Sequence, residues 1–292
     1  MRGLLSRMEL VRPTDLADAL RLLAEGARPF AGGTDLMVLV NAGAETPGRF
    51  VDLSRLGELA GVVEHADHLD LGALCTYTEL LEHPVVSGTL PNLARAAELT
   101  GAVAIQNRGT LGGNIGNASP AADALPCLLA YDAALVLVSA RGSRVVPYAG
   151  FHVGYKELDL APDELIARIL VPRPPAGSVH FFRKVGTRQA QAIAKVNLAL
   201  VALVRDGRVE SVRIALGAVA PTPVRARHAE AVLTGRRVDA LPVSAALAAL
   251  GADISPIDDL RSTAHYRSVV ARGLLEQALG TVADRPPGPA RT

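Results

Sequence analysis

The sequence has 292 residues, 49% apolar and 20% charged, which excludes disorder and collagen-like repeats and leaves room for two domains, each with its own core. A formal net charge of +1 excludes a polyanion-binding surface and an acidic tail. The start, Met1 to Arg7, runs out of apolar residues after two leucines, and the longest apolar run, Val196 to Val204, is interrupted by Asn197. Neither supplies a secretory leader or the roughly 20 apolar residues of a membrane helix, so a cytoplasmic location is expected.

In chain order, Thr14 is placed to cap a helix whose Leu16, Leu20 and Leu23 share one face, ending near Gly26. A short strand, Arg28 to Ala31, leads into Ala31-Gly32-Gly33-Thr34-Asp35, a second short helix starts at Asp35, and Phe50 to Leu53 reads as another strand. The polar segment Glu64 to His68 reads as a turn between two strands, and its two histidines lack further ligands at metal spacing. One helix starts near Thr78; another opens with Pro91 in its first turn and stops at Gly101. Ala134 to Ser139 and Arg144 to Pro147 form a strand pair around Arg141-Gly142-Ser143, and a further strand ends at Val171.

Pro172 to Gly177 is the best linker, since its three prolines exclude helix and ladder alike. Beyond it, Asn197 to Val204, Asp206-Gly207 and Val209 to Ala215 carry a strong hairpin signal. Helical patterns follow at Arg225 to Leu233, Ser244 to Leu250 and His265 to Leu279, before a tail, 284–292, expected to be disordered. The fold class is α+β: an N-terminal domain over 1–176, with subdomains of about 1–55 and 56–176, then a C-terminal domain over 177–283 whose helices follow an antiparallel sheet.

Two glycine segments carry the chemistry: Ala31-Gly32-Gly33-Thr34-Asp35 and Thr110-Leu111-Gly112-Gly113-Asn114-Ile115-Gly116-Asn117. Adjacent glycines bring backbone close to a ligand, successive N–H groups make an anion-binding concavity, and Thr34 or Thr110 adds a hydroxyl. The bland alternative is a pair of tight turns. No two glycines are separated by a single residue and none precedes a lysine, which excludes both the dinucleotide fingerprint and the phosphate-binding P-loop. The two cysteines, Cys75 and Cys127, cannot ligate an iron–sulfur cluster and read as buried apolar side chains.

Together with Ser119-Pro120-Ala121-Ala122-Asp123, Phe182 to Arg188, Ile193 to Asn197 and Asp259 to Arg267, these segments resemble the FAD-binding subunits of the xanthine dehydrogenase and carbon monoxide dehydrogenase families, in the right order over nearly the whole chain. The resemblance implies a two-part FAD-binding domain of the vanillyl-alcohol-oxidase (PCMH) type followed by a small α+β domain that closes over the flavin. Carried over by position, Phe30, Ala31, Gly32, Gly33, Thr34 and Asp35 line the pyrophosphate, and Thr110, Gly113, Asn114 and Asn117 hold it from the other side. Asp123 bonds a sugar or ribityl hydroxyl, or simply caps a helix. Leu36, Thr100, Gly109, Ile115, Gly116, Leu165 and Ile166 complete the contacts.

Lys184 matches the family lysine at the pyrimidine end of the flavin. It is one of only three lysines, with Lys156 and Lys195, in an arginine-rich chain, and a fixed cation there favours the reduced ring; its bland alternative is a solvated strand residue. Arg188 falls in the loop on the acceptor side. Tyr266 and Arg267 read as structural, with the tyrosine packing the last helix on its domain.

The resemblance further implies an oxidoreductase subunit that transfers electrons with no catalytic side chain or metal of its own. A small subunit carrying [2Fe-2S] clusters and a large subunit carrying the molybdenum cofactor are expected as partners, in a dimer of heterotrimers with NAD, a quinone or oxygen as external acceptor. The rival reading is a self-sufficient FAD-dependent oxidase or reductase of the same fold; the first loop, however, lacks the histidine that often carries a covalent flavin in such oxidases.

Overall fold

The computed structural model describes residues 8–44 and 48–284 of the protein, so all but Asp284 of the expected tail lies outside the described residues. The chain opens with a three-stranded parallel sheet in the order β1 (Glu9–Val11), β3 (Arg49–Asp52), β2 (Arg28–Phe30). Helix α1 (Leu16–Ala24) crosses between β1 and β2 and buries Ala19, Leu22 and Leu23 in a cluster with Val51, Leu53 and Leu59. Its cap is Asp15 rather than the expected Thr14: the Asp15 carboxylate accepts from the Asp18 N–H at 2.8 Å. Thr14 instead donates its own N–H to the Asp18 carboxylate. The glycine loop and α2 (Leu36–Asn41) follow β2, which stops at Phe30.

A five-stranded antiparallel sheet comes next, in the order β4 (Val62–Glu64), β5 (His68–Gly72), β10 (Leu165–Pro172), β6 (Ala134–Ser139), β7 (Gly142–Pro147). Pro172 ends a ladder instead of excluding one: it pairs with His68 on one side, where β10 has already run past β6. A proline is tolerated at such a strand end because one face of the backbone needs no donor. A small hairpin, β8 (His152–Gly154) and β9 (Glu157–Leu158), leads back toward β10.

Between β5 and β6 the chain makes six short helices: α3 (Tyr77–Glu82), α4 (Pro84–Thr89), α5 (Pro91–Leu99), α6 (Val103–Gln106), α7 (Leu111–Asn117) and α8 (Ala124–Ala130). The helix expected near Thr78 has a full capping box, in which Thr76 and Glu79 exchange side-chain and backbone bonds. The second glycine segment, expected as a loop, is helix α7. Thr110 caps it by accepting from Gly113 at 3.1 Å, and the fully buried Leu111 and Ile115 anchor it, so packing outweighs three glycines. Every residue of α8 is buried.

The last sheet is antiparallel, in the order β11 (Val179–Val185), β12 (Val196–Arg205), β13 (Arg208–Gly217), β14 (Val224–Arg225). Its hairpin turns at Asp206 and Gly207, with φ of 49° and 70°, the two left-handed residues a two-residue hairpin loop requires. Strand β12 is buried on both faces, hence its unbroken apolar run. Ala199 and Val201, with Ala215 of β13, join the core around α8. Leu198 and Leu200 face the opposite cluster under α9 (Arg227–Leu233), α10 (Val243–Asp253) and α11 (Ala264–Ala283). No helix among the described residues is long and apolar enough to cross a membrane.

Candidate functional site

The first two sheets and the loops that follow β11 and β13 surround one cleft of about 1230 Å³. Its floor begins at the end of β2. Gly33, at φ +73°, turns the chain from the strand toward α2, and a Cβ there would lie 2.8 Å from the Phe30 ring. Gly32 packs on the chain just before the other glycine segment: a Cβ on it would fall 1.9 Å from the Arg108 carbonyl oxygen. The first segment therefore touches Arg108 and Gly109 backbone to backbone, which only glycine permits. Gly112 is likewise required by packing, against Ala73, whereas Gly116 has nothing within 4 Å of a Cβ and faces open cleft. Among the described residues, the N–H groups of Thr34 and Asp35 have no acceptor. Asn114 Oδ1 is buried and unpartnered.

The third wall starts at Asp123, at the head of α8. It occupies the N-cap position but makes no capping bond there. Instead its Oδ2 accepts from Lys184 Nζ at 2.5 Å, its Oδ1 accepts from Asn197 Nδ2 at 3.1 Å, and Thr100 Oγ1 stands 3.5 Å from Oδ2. Burial pushes the Asp123 carboxyl up, and the adjacent ammonium of Lys184 works against that rise.

Of the residues expected at a cofactor, Phe30, Ala31, Gly32, Gly33, Thr34, Asp35, Leu36, Thr100, Gly109, Thr110, Gly113, Asn114, Gly116, Asn117, Asp123, Leu165 and Ile166 all line this cleft. Three do not. Ile115 is wholly buried under α7, where it serves the core. Lys184 is no solvated strand residue, since its side chain is 5% exposed, but it sits behind Asp123. Arg188 folds its guanidinium onto the carbonyls of Ala190 and Gln191 in its own loop.

Other residues of the site were not anticipated. Asn197 is completely buried, and a Cβ on Gly217 would lie 2.3 Å from its Oδ1. Its one sequence signal is a lone amide in an apolar strand. Tyr155 and Lys156, at the β8–β9 turn, line the cleft, as does Arg267. Arg267 is the structural member of its pair: 4% exposed, it donates to the carbonyls of Lys195 and Ala218 and to both oxygens of Asp259. Tyr266 is half-exposed, and its ring carries the Lys195 ammonium at 5.0 Å.

A cleft lined by free N–H groups, a glycine facing open space and a buried carboxylate has the features that suit a dinucleotide with a polar ring. FAD therefore fits the residues present. The comparisons agree. Residues 6–174 match the family model described as the FAD binding domain in molybdopterin dehydrogenase, and 181–282 match the CO dehydrogenase flavoprotein C-terminal domain.

The chain belongs to this family of FAD-binding subunits.

It is 34% identical over 262 residues to the xanthine dehydrogenase FAD-binding subunit of Escherichia coli O157:H7, covering 88% of this chain and 89% of the relative. It is 32% identical over 276 residues to the carbon monoxide dehydrogenase medium chain of Hydrogenophaga pseudoflava, covering 94% and 96%. The solved carbon monoxide dehydrogenase of Hydrogenophaga pseudoflava lacking the Mo-pyranopterin moiety superposes with a TM-score of 0.91 at 33% identity, over 94% of this chain and 96% of that one. Quinoline 2-oxidoreductase from Pseudomonas putida 86 superposes with a TM-score of 0.88 at 27% identity, over 94% and 96%. The protein is thus an FAD-binding oxidoreductase subunit with a two-domain fold of this type.

Proposed function

We propose that this flavoprotein is the electron-transfer subunit of a molybdenum hydroxylase complex, standing between the [2Fe-2S] clusters of a small partner and an external acceptor such as NAD, a quinone or oxygen. The large partner holds the molybdenum cofactor, the assembly is a cytoplasmic dimer of heterotrimers, and FAD binds to a domain over 1–176 closed by one over 177–283. The single observation that carries this reading is the cleft. Its lining suits FAD, in a chain whose two cysteines, Cys75 and Cys127, are both buried and can ligate no cluster. In this reading the electrons come from another subunit, which carries the clusters. The relatives bear the names of xanthine and carbon monoxide dehydrogenases while sharing this architecture, so the substrate is chosen elsewhere in the complex.

When bound, FAD supplies a carrier able to exchange electrons singly or in pairs. The chain's own residues hold it. The N–H groups of Thr34 and Asp35, free of other acceptors, take the pyrophosphate from one side. Asn114 and Gly116 of α7 border it from the other, where Gly116 leaves the space a side chain would fill. Asp123 accepts a hydroxyl or imide hydrogen, and the buried Leu165 and Ile166 exclude water from the ring. The purified full chain, stripped of flavin and then given FAD, is expected to retain it in equal amount through gel filtration; a chain that takes up no FAD contradicts the assignment.

A further inference from the structure

Lys184 is the cation expected to face the cofactor, yet it does not line the cleft. Its Nζ donates to Asp123 Oδ2 at 2.5 Å and to the Leu99 carbonyl at 2.9 Å, and its side chain is 5% exposed. The group that lines the cleft is its partner, the Asp123 carboxylate. Two further elements steady that carboxylate. Asn197 of β12 donates to Oδ1 and to the Ala122 carbonyl, and the Thr100 hydroxyl, which donates to Ala96 at 2.7 Å, lies beside Oδ2. The other titratable groups near Asp123 are Tyr77 on α3 and Cys127 on α8. Burial pushes both up, so they stay neutral and supply no compensating charge. A buried carboxylate with one cationic partner depends on it: removing one member of such a pair leaves an uncompensated charge, whereas removing both does not.

We propose that Lys184 is a positioning residue which never touches the cofactor, and that its ammonium holds the Asp123 carboxylate ionised and aimed into the cleft as a hydrogen-bond acceptor. The cleft then presents a neutral ion pair to the ligand, its anionic face forward, rather than a free positive charge. This rests on the FAD reading and assigns within it the work of two residues. The ligand atom that Asp123 takes is a donor, a hydroxyl or an imide N–H, because an ionised carboxylate can only accept.

The test is FAD affinity of the stripped full chain, read by flavin fluorescence between about pH 5.5 and 8.5, in the wild type and in K184R, K184M, D123N and the double variant. The wild type and K184R are expected to bind with little dependence on pH. K184M is expected to bind at least about tenfold more weakly at the acid end, where Asp123 is protonated, and to recover as pH rises and the carboxylate ionises. Once Asp123 is an amide, removing Lys184 costs nothing further: D123N and the double variant bind FAD within about threefold of each other, a comparison that stands even if K184M alone does not fold. The proposal is overturned if K184M binds like the wild type at every pH, or if the losses of D123N and K184M multiply in the double variant, which would mean that Lys184 meets the cofactor itself. No FAD binding by the wild type would instead overturn the FAD reading on which the inference rests.

Discussion

Gly32 and Gly116 both line the cleft, for opposite reasons. A methyl on Gly32 would collide with the Arg108 carbonyl, an inflexible backbone group, while one on Gly116 would meet nothing. Gly32→Ala is therefore expected to cost about 2 kcal/mol or more of stability in chemical unfolding. Gly116→Ala, inside helix α7, is expected to gain about 0.5–1 kcal/mol while FAD affinity falls several-fold, since the methyl would enter the ligand's space. An alanine at 116 that leaves FAD affinity unchanged would place the ligand elsewhere in the cleft. His152 makes a different prediction. It bonds the Tyr148 hydroxyl at 3.0 Å, and burial lowers its pKa to about 4. The unfolded chain binds the proton at a higher pH, near 6.5, so this contribution is intact above that value and is lost as pH falls toward 4. Stability should drop by on the order of 2–3 kcal/mol over that window through this residue, and His152→Gln should remove that part of the slope. At this scale the sequence was informative where chemistry is local: the Gly-Gly-Thr-Asp pattern and Asp123 all line the cleft. It could not show that Lys184 stands behind Asp123, because the two are 61 positions apart and are brought together only by the packing of α8 on the sheet to which β11 belongs.

Helix α8 links the cleft to the C-terminal sheet, with a carboxylate at each end. Asp123 at its head is held by Lys184 of β11 and Asn197 of β12. Asp132, just past its end in a left-handed conformation of φ 53°, pairs with Arg213 of β13 and Arg225 of β14. All four strands thus reach one wholly buried helix. Arg225 also forks onto Glu230, which accepts from the Ile214 N–H, and only about a tenth of either side chain is exposed. Arg225→Met is expected to cost about 3 kcal/mol, because it strands a buried Glu230. Asp132→Asn keeps the left-handed backbone that asparagine tolerates and loses only half-exposed pairs, so about 1 kcal/mol or less is expected. Unfolding titrations separate the two; equal costs would mean that the network is not organised around Arg225. The hairpin of β12 and β13 and the long helix α11 were readable from periodicity and turn residues. Helices α4, α6 and α7 were not, since each spans fewer than eight residues and is broken by glycine or followed closely by a new turn.

On the scale of the whole molecule, the order of segments along the chain identified the family although no single motif was decisive. Three apolar clusters, shared between neighbouring sheets, surround one cleft, and the C-terminal region supplies one wall through Ala218, Asp259 and Arg267. How that wall closes was not legible, because Arg267 binds carbonyls of Lys195 and Ala218, which are distant in sequence. The subunit is proposed to hold FAD and to receive its electrons from another chain. The most direct measurement is the absorption spectrum of the complex, coexpressed from this gene and its neighbours, followed by spectra of the separated subunits and the rate at which the reduced iron–sulfur partner bleaches the flavin. FAD travelling with this chain, iron–sulfur absorbance with a partner, and bleaching on mixing are the results expected. FAD on a solitary chain that no partner reduces, and that turns over a substrate alone, would contradict the account and point to a self-sufficient flavoenzyme.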